Sequence, residues 1–148
     1  MKRILFALIA LLLSLSALGQ NGKADQIVGT YLYGSGEDAY KVKVVKLADG
    51  TYEGRPCWLA SSYYADGKVR TDVKNPQKEL RSTPLDKIVL FSGLQYDAKK
   101  QQWSGTKIYD PNRGISAKMT ARFEKPGILI IRGTLMGFSE SVTWIKQD

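Results

Sequence analysis

Beyond an apolar N-terminal run, the hydrophobic residues of this chain recur at every second position. The clearest case is ISAKMTARFE, residues 115–124, in which apolar and polar side chains alternate without a break. Strict alternation is typical of a half-buried β-strand, with one face toward a core and the other toward water. After the turn KPG, residues 128–136 return with Leu129, Ile131 and Leu135 on one face. The two segments therefore predict a β-hairpin.

Runs of this kind predict about eight strands in succession. They lie at residues 27–33, 40–47, 51–59, 87–96, 103–109, 115–124, 128–136 and 141–147. Short turns join them, except for the long, polar and turn-rich segment 60–86 between strands three and four. We therefore predict an all-β fold, a single antiparallel up-and-down meander closed into a barrel that leaves no strand edge exposed. A flattened two-sheet sandwich is the structural alternative. A barrel of this size holds one small ligand or a packed interior.

Two strands contain local features that affect which side chains face inward. The Val44-Val45 doublet interrupts an alternation of lysines and predicts a β-bulge. In WSGTKIYDPNRG, residues 103–114, unbroken alternation places Trp103, Lys107 and Tyr109 on one face. The turn that follows, at residues 110–114, is explained by an Asp cap, a Pro that fixes φ and a final Gly.

The N-terminus has the organisation of a secretory signal peptide. MKR is a positive n-region, ILFALIALLLSLSAL is a short apolar run, and Ala17 and Gly19 are small residues at the spacing a signal peptidase prefers. We expect residues 1–19 to be a signal peptide cleaved after Gly19, and residues 20–148 to be one barrel domain with no transmembrane segment. The expected location is the periplasm or the outside of the cell. A retained N-terminal anchor is the alternative.

The charge of the chain is basic, with a formal net charge of +8. Loss of Lys2 and Arg3 with the signal peptide would lower it by two, to +6. Export makes nucleic acid an unsuitable partner, so anionic phospholipid or glycolipid surfaces are the better candidates for an electrostatic attraction. A solvated, soluble surface explains the same charge without any partner.

The composition excludes most common catalytic machinery. The chain contains no histidine, and Cys57 is its single cysteine. Histidine-based acid–base catalysis, Ser-His-Asp triads and zinc sites built on His or several Cys are therefore excluded. We expect Cys57 to be a buried, small apolar residue of a strand, and we expect no intramolecular disulfide, no cofactor and no metal.

Three short motifs match known patterns but lack the surroundings that those patterns need. GSGEDA, residues 34–39, resembles a dinucleotide-binding loop but is followed by a strand instead of a helix. SGTK, residues 104–107, places Ser and Lys on opposite faces of a strand, so the lysine cannot accept the serine proton. DPNRG has its glycine one position early for a calcium loop and no Glu at position twelve. We interpret all three as parts of strands and turns.

These observations favour a non-enzymatic barrel that binds a small, partly apolar or lipid-like ligand. Aromatic residues near strand ends are candidates for lining a cavity, and an arginine within an apolar strand would anchor an anionic ligand if it faced inward. The outward orientation of that arginine is favoured, because the face of Leu129 and Ile131 is the drier one. The predicted ligand-binding residues are Tyr31, Trp58, Trp103, Tyr109 and Arg132, with Asn75 in the long loop acting as a lid.

Two other functions stay open at this point. The first is an interaction module with a solidly packed barrel, whose 60–86 loop and lysine face (Lys41, Lys43 and Lys46) contact an envelope protein or a polyanion. The second is an enzyme that uses a carboxylate pair, either Glu37 with Asp38 or Asp66 with Asp72. Spacing alone does not place two carboxylates at the separation that glycosidic chemistry needs.

Several segments together resemble a known family. DVKNPQKELRSTPL, WSGTKIYDPNRG, ILIIRGTLMG and TWIK are similar, in order and spacing, to the domain of unknown function family 2147, and the resemblance extends from about Gly29 to Lys146. It implies a small exported bacterial protein with a lipocalin-like barrel, and it implies no particular activity. The chain departs from the family in having Tyr31 where a tryptophan is usual. It also passes directly from Gly114 to Ile115, where the family has a longer loop with a tyrosine.

Overall fold

The computed structural model describes residues 22–147, and they form a closed eight-stranded antiparallel barrel. The strands are β1 (Gly29–Tyr33), β2 (Tyr40–Lys46), β3 (Tyr52–Leu59), β4 (Phe91–Asp97), β5 (Gln102–Asp110), β6 (Ile115–Lys125), β7 (Ile128–Leu135) and β8 (Phe138–Gln147). Each strand pairs with the next, and β8 closes the barrel by pairing with β1. The predicted meander is therefore confirmed. The predicted signal peptide and its cleavage site lie outside the described residues.

The strand order follows directly from the alternating pattern of the sequence. In β6 and β7 the inward faces are those predicted. Met119 pairs with Gly133 and Ala121 pairs with Ile131, and Met119, Ala121 and Ile131 are buried in the core. The segment GSGEDA is the connection between β1 and β2, which pair along their whole length. Strand β8 begins at Phe138, three residues earlier than predicted, because Met136 and Gly137 alone form the turn from β7.

Register shifts interrupt four of the strand pairs, and those in the β2–β3 and β5–β6 pairs change which predicted residues face inward. The bulge expected at Val44-Val45 is absent from β2, where Val42 and Val44 are both buried. Instead, the register shifts where Lys41 pairs with Trp58 and Val42 with Pro56, which leaves Cys57 as the extra residue of β3. Cys57 is therefore a strand residue, as expected, but it is exposed and not buried.

The second bulge lies in β5 and also changes which residues face inward. The register shifts between Trp103 and Thr106, and Gly105 adopts a left-handed conformation with φ of 92°. Trp103 is buried, whereas Lys107 is exposed and Ile108 faces the barrel interior together with its partner Ala117. The prediction that Trp103 and Lys107 share a face is therefore wrong, because an extra residue shifts the alternation by one.

The N-terminal segment closes one end of the barrel. A short 3₁₀ turn, Asp25–Ile27, buries Ile27 completely. Four side chains from four different strands donate hydrogen bonds to this segment, over donor–acceptor distances of 2.6 to 3.0 Å. The donors are Tyr31, Tyr52, Trp103 and Lys146. Because these bonds satisfy polar groups that would otherwise be stranded beneath the core, the segment forms a fixed floor at this end.

The long connection between β3 and β4 packs against the barrel near the opposite end. It contains two 3₁₀ turns, Lys78–Leu80 and Leu85–Lys87, and two isolated β-bridges, and it places Leu85 in the core cluster. Its polar anchor is Asp72, which is 1% exposed and accepts hydrogen bonds from the Tyr109 hydroxyl and the Asn75 amide, each at 2.7 Å. The loop is thus held in one position.

Among residues 22–147 there is no helix with the length and apolar character needed to cross a membrane.

Candidate functional site

The barrel interior is packed at the closed end and open at the other. A cavity of about 490 Å³ extends inward from the open end, where the β1–β2, β5–β6 and β7–β8 turns meet. The expectation of a solidly packed barrel is therefore wrong for the described residues. Volumes of this size are typical of sites that hold one small molecule.

The wall of the cavity is mostly apolar. Its side chains come from the inward faces of β5 to β8. They are Ile108, Ile115, Ala117, Ile131, Leu135 and Val142. Two of the wall positions are small: Gly133 lies beside Ala117, and a Cβ added to Gly133 would approach the Ala117 methyl to 3.2 Å. The space therefore exists because two neighbouring strands carry almost no side chain at this level.

The floor of the cavity includes Trp144. Its side chain is 1% exposed and contacts the rings of Tyr31 and Phe91, with centroid distances of 6.1 and 6.4 Å. The indole Nε1–H has no hydrogen-bond partner among the described residues. An unpaired buried donor costs about 1–3 kcal/mol. The nitrogen itself has almost no accessible surface, so Trp144 contributes its apolar ring to the cavity floor.

The charged groups of the cavity lie at its rim. The Arg113 guanidinium, from the β5–β6 turn, pairs with Asp110 at 3.0 Å and with Glu140 on β8. This arrangement raises the pKa of Arg113 and lowers the pKa of Glu140, in each case through the hydrogen bond between them. Both side chains are largely exposed, so the pair contributes little to stability. The ion pair connects the β5–β6 turn to β8 at the mouth of the cavity.

Two tyrosines from β1 and β2 also line the rim. Tyr33 and Tyr40 lie at adjoining ends of these strands and pack with ring centroids 5.0 Å apart and planes tilted by 53°. Burial, followed by the nearby Tyr33 and Asp110, raises the pKa of Tyr40 well above its ordinary value. Its hydroxyl is therefore protonated at neutral pH and offers a neutral donor and acceptor to a ligand.

Of the predicted ligand-binding residues, Tyr109 alone is at the cavity wall. Tyr31 is fully buried below the floor, and its hydroxyl bonds the carbonyl of Ile27. Trp103 is at the closed end, where its indole bonds the carbonyl of Ala24 at 3.0 Å. Neither has access to the cavity.

The other three predicted residues lie away from the cavity altogether. Trp58 is 46% exposed on the outer face, with the Lys41 ammonium over its ring, because the bulge at Cys57 turns it outward. Arg132 is exposed beside buried Ile131, which is the orientation that the alternation favoured. Asn75 is no lid, since its amide donates to Asp72 and supports the loop.

The residues that the prediction omitted include the whole contribution of β8. Phe138, Glu140, Val142 and Trp144 all line the cavity. The signal for them was present, because the face of β7 that carries Leu129 and Ile131 was identified, and a two-residue turn fixes which residues of β8 share that face. The register pairs Leu129 with Trp144 and Ile131 with Val142.

The proposed carboxylate pairs do not form. Asp72 is buried and accepts a hydrogen bond from the Tyr109 hydroxyl, whereas Asp66 is exposed and pairs with Lys68 at 3.3 Å. Glu37 and Asp38 lie in the β1–β2 connection outside the cavity wall, with Asp38 beside a separate small pocket under the long loop. Within residues 22–147 no cluster of three or more His, Cys, Asp or Glu is arranged to hold a metal ion.

An antiparallel eight-stranded barrel, closed at one end and open at the other onto an apolar cavity, defines the lipocalin-like class of proteins. The chain belongs to the bacterial family DUF2147, described as "Uncharacterized protein conserved in bacteria", whose family model matches residues 29–146. This confirms the resemblance inferred from the sequence.

A solved structure supports the same fold. Protein HP1028 from the human pathogen Helicobacter pylori, described as belonging to the lipocalin family, superposes with a TM-score of 0.67 over 82% of this chain and 83% of that one, at 20% sequence identity. This similarity shows the fold alone. No curated protein matches the chain in sequence.

Proposed function

We propose that this protein binds one small, mostly apolar molecule in the cavity at the open end of the barrel, without catalysing a reaction. The observation that carries the proposal is the cavity of about 490 Å³ with apolar walls, open at one end of the barrel. Water inside apolar walls makes few hydrogen bonds, and an apolar ligand replaces that water favourably.

The distribution of polar groups defines the ligand more closely. Charged side chains occur only at the rim, where Arg113 is already paired with two carboxylates. The rim offers the neutral phenol of Tyr40. An ionised group would lose its hydration in the interior without gaining a counterion. The ligand is therefore a lipid-like or other apolar molecule without a charged group in the interior.

The proposal includes export and the absence of catalysis. The N-terminal segment of the sequence has the three regions of a signal peptide, and the chain lacks the histidine on which most hydrolytic mechanisms depend. We expect the protein in the periplasm or outside the cell. Cell fractionation, with the mass of the recovered protein, tests this part: a mass that begins at Gln20 supports it, and a full-length protein in the cytoplasm contradicts it.

The binding experiment compares two neighbouring residues of β6. Ala117→Trp fills the cavity wall, whereas Ser116→Trp places the same side chain on the outer face. The probe is the fluorescent apolar amine N-phenyl-1-naphthylamine, titrated into each protein. We expect saturable, stoichiometric binding to the unmodified protein and to Ser116→Trp, and at least a tenfold weaker affinity in Ala117→Trp.

Native mass spectrometry of protein from a bacterial envelope then identifies the ligand. A stoichiometric adduct that is released on denaturation supports the proposal and names the chemical class. An affinity that is equal in the two variants would mean that the probe binds outside the cavity, and the proposal would then be wrong.

A further inference from the structure

The tip of the β7–β8 hairpin presents apolar side chains to water at the mouth of the cavity. Met136 is 89% exposed, Phe138 is 82% exposed, and Leu135 is 40% exposed. Met136 and Gly137 form the two-residue turn with φ of 49° and 82°. Asn or Gly suits such positions best, and a flexible apolar residue there gains nothing from the fold. These side chains are therefore placed where only a partner could cover them.

The outer wall next to this tip is basic. Lys107 lies directly opposite Lys118 in the β5–β6 pair, and Arg132 and Arg122 follow on the same outer face of β6 and β7. All four side chains are exposed. Among residues 22–147 none of them forms a salt bridge. Like charges directly across a strand pair destabilise a sheet, so this arrangement indicates a use outside the fold.

The two features are continuous in the structure. Lys118 pairs with Thr134, the residue immediately before Leu135, so the basic face (Lys107, Lys118, Arg122 and Arg132) begins at the base of the apolar tip. The acidic residue of this strand face, Glu124, lies toward the closed end of β6. The acidic β1–β2 connection lies at the same open end of the barrel but away from the basic face, with β2 four strands from β6.

We propose that the hairpin tip and the basic face dock on the surface of an anionic phospholipid bilayer, with Met136 and Phe138 inserted among the lipid chains. Apolar side chains flanked by unpaired cations are the combination that binds such an interface. A soluble polyanion would use the cations and leave Met136 in water. A second copy of the chain would bring the basic faces toward each other. Docking also places the cavity mouth against lipid, so under the proposed function the ligand enters directly from the bilayer.

The experiment measures sedimentation of the protein with lipid vesicles. It uses processed protein recovered from expressing cells, with each variant checked for a native circular dichroism spectrum. One set of vesicles contains equal parts of phosphatidylglycerol and phosphatidylethanolamine, and the other contains phosphatidylcholine alone. We expect strong binding to the anionic set that weakens as salt is added, and weak binding to the neutral set.

Two double variants and a matched control identify the surface. Lys118→Gln/Arg132→Gln removes two cations of the basic face, and at about fivefold for each charge we expect roughly 25-fold weaker binding to anionic vesicles. Lys41→Gln/Lys43→Gln removes two cations of β2. Those residues would face away from the lipid, where the attraction of each charge to the surface is weak, so we expect binding to change by less than about threefold. Met136→Ser/Phe138→Ser should weaken binding by at least tenfold through lost apolar burial.

If the two charge variants lost equal binding to anionic vesicles, the binding would reflect a general attraction of a basic protein, and that result would overturn the proposal. So would binding that survives the loss of the tip, or vesicle binding that is absent in the unmodified protein. The Lys118→Gln/Arg132→Gln protein should still bind N-phenyl-1-naphthylamine in solution. Vesicle binding and probe binding therefore fail independently, which separates this proposal from that of the cavity.

Discussion

The hydroxyl of Tyr109 is predicted to hold the long loop on the barrel, and its removal should be costly. It donates to Oδ1 of Asp72 at 2.7 Å, and Asp72 is 1% exposed. In Tyr109→Phe one oxygen of a buried carboxyl group loses this donor, while the amide of Asn75 still bonds the other oxygen. Hydrogen bonds to charged groups contribute about 1.5–3 kcal/mol, so we expect the free energy of unfolding to fall by about 2 kcal/mol. For a domain of this size that lowers Tm by about 8 °C.

Urea unfolding followed by circular dichroism measures the change, and a double-mutant cycle with Asp72→Ala attributes it. If the two groups interact as the structure shows, the loss of unfolding free energy in the double variant should be about 2 kcal/mol smaller than the sum of the losses in the two single variants. Tyr63→Phe is the matched control, since it removes the hydroxyl of a tyrosine in the same loop that is 60% exposed. We expect its effect to stay within about 0.5 kcal/mol. A Tyr109→Phe protein as stable as the control, or a coupling energy near zero, would refute the role of this bond.

Three further predictions concern the turn at the cavity rim, the closed end and alkaline pH. Gly114 has φ of 68°, and an added Cβ would overlap the carbonyl oxygen of Lys74, so Gly114→Ala should lower the free energy of unfolding by more than about 2 kcal/mol. Gly50 has φ of 85° with open space around it, so Gly50→Ala should lower it by about 1 kcal/mol. Equal losses of stability in urea unfolding would contradict the overlap. The Tyr52 hydroxyl, then Lys46, lowers the pKa of Asp25 below 3.8, so its contribution to stability is present above that pH and is lost as pH falls through the lowered value. Asp25→Asn should therefore be less stable by under about 1 kcal/mol at neutral pH and equal to the unmodified protein in strong acid, and a difference that persists there would argue against the ionic origin. Burial raises the pKa of four tyrosines above 10.0, so their contribution to stability should be constant from neutral pH to pH 10.0 and fall above it. Ionisation there favours the unfolded chain by about 1.4 kcal/mol per pH unit for each tyrosine, and a flat alkaline profile would show that their burial is not maintained.

Some of the residues that carry the family resemblance hold the long loop. In that loop, Asp72 accepts from Asn75, and the Arg81 guanidinium donates to the backbone carbonyl of Asn75 at 2.7 Å. The β5–β6 turn meets the same loop through the Lys74 ammonium, which donates to the carbonyl of Asn112 at 2.6 Å. Others, such as Tyr109, Pro111 and Trp144, line the cavity. The shared segments therefore identify both how the barrel is braced and part of the cavity wall.

The short connections predicted the order of the meander, whereas its closure by pairing of β8 with β1 is seen only in the structure. The alternation of apolar and polar residues by itself determined where the strands lie, because a two-residue period is a local property of each strand. It also determined the inward faces of β6 and β7, where no bulge intervenes before Phe123. The absence of histidine, likewise a property of the sequence, removed most catalytic mechanisms from consideration.

The tertiary structure alone decided which aromatic residues reach the cavity. The bulges at Cys57 and Gly105 each add one residue to a strand, and the alternation beyond them is reversed, which turned Trp58 outward. Trp103 is inward as expected, but the N-terminal turn covers the end of the barrel where it lies. Burial depends on what closes each end of the barrel, and that contact joins Trp103 to Ala24, far apart in the sequence. Periodicity within a strand therefore gives the side of the sheet, and only long-range packing decides whether that side is core or cavity.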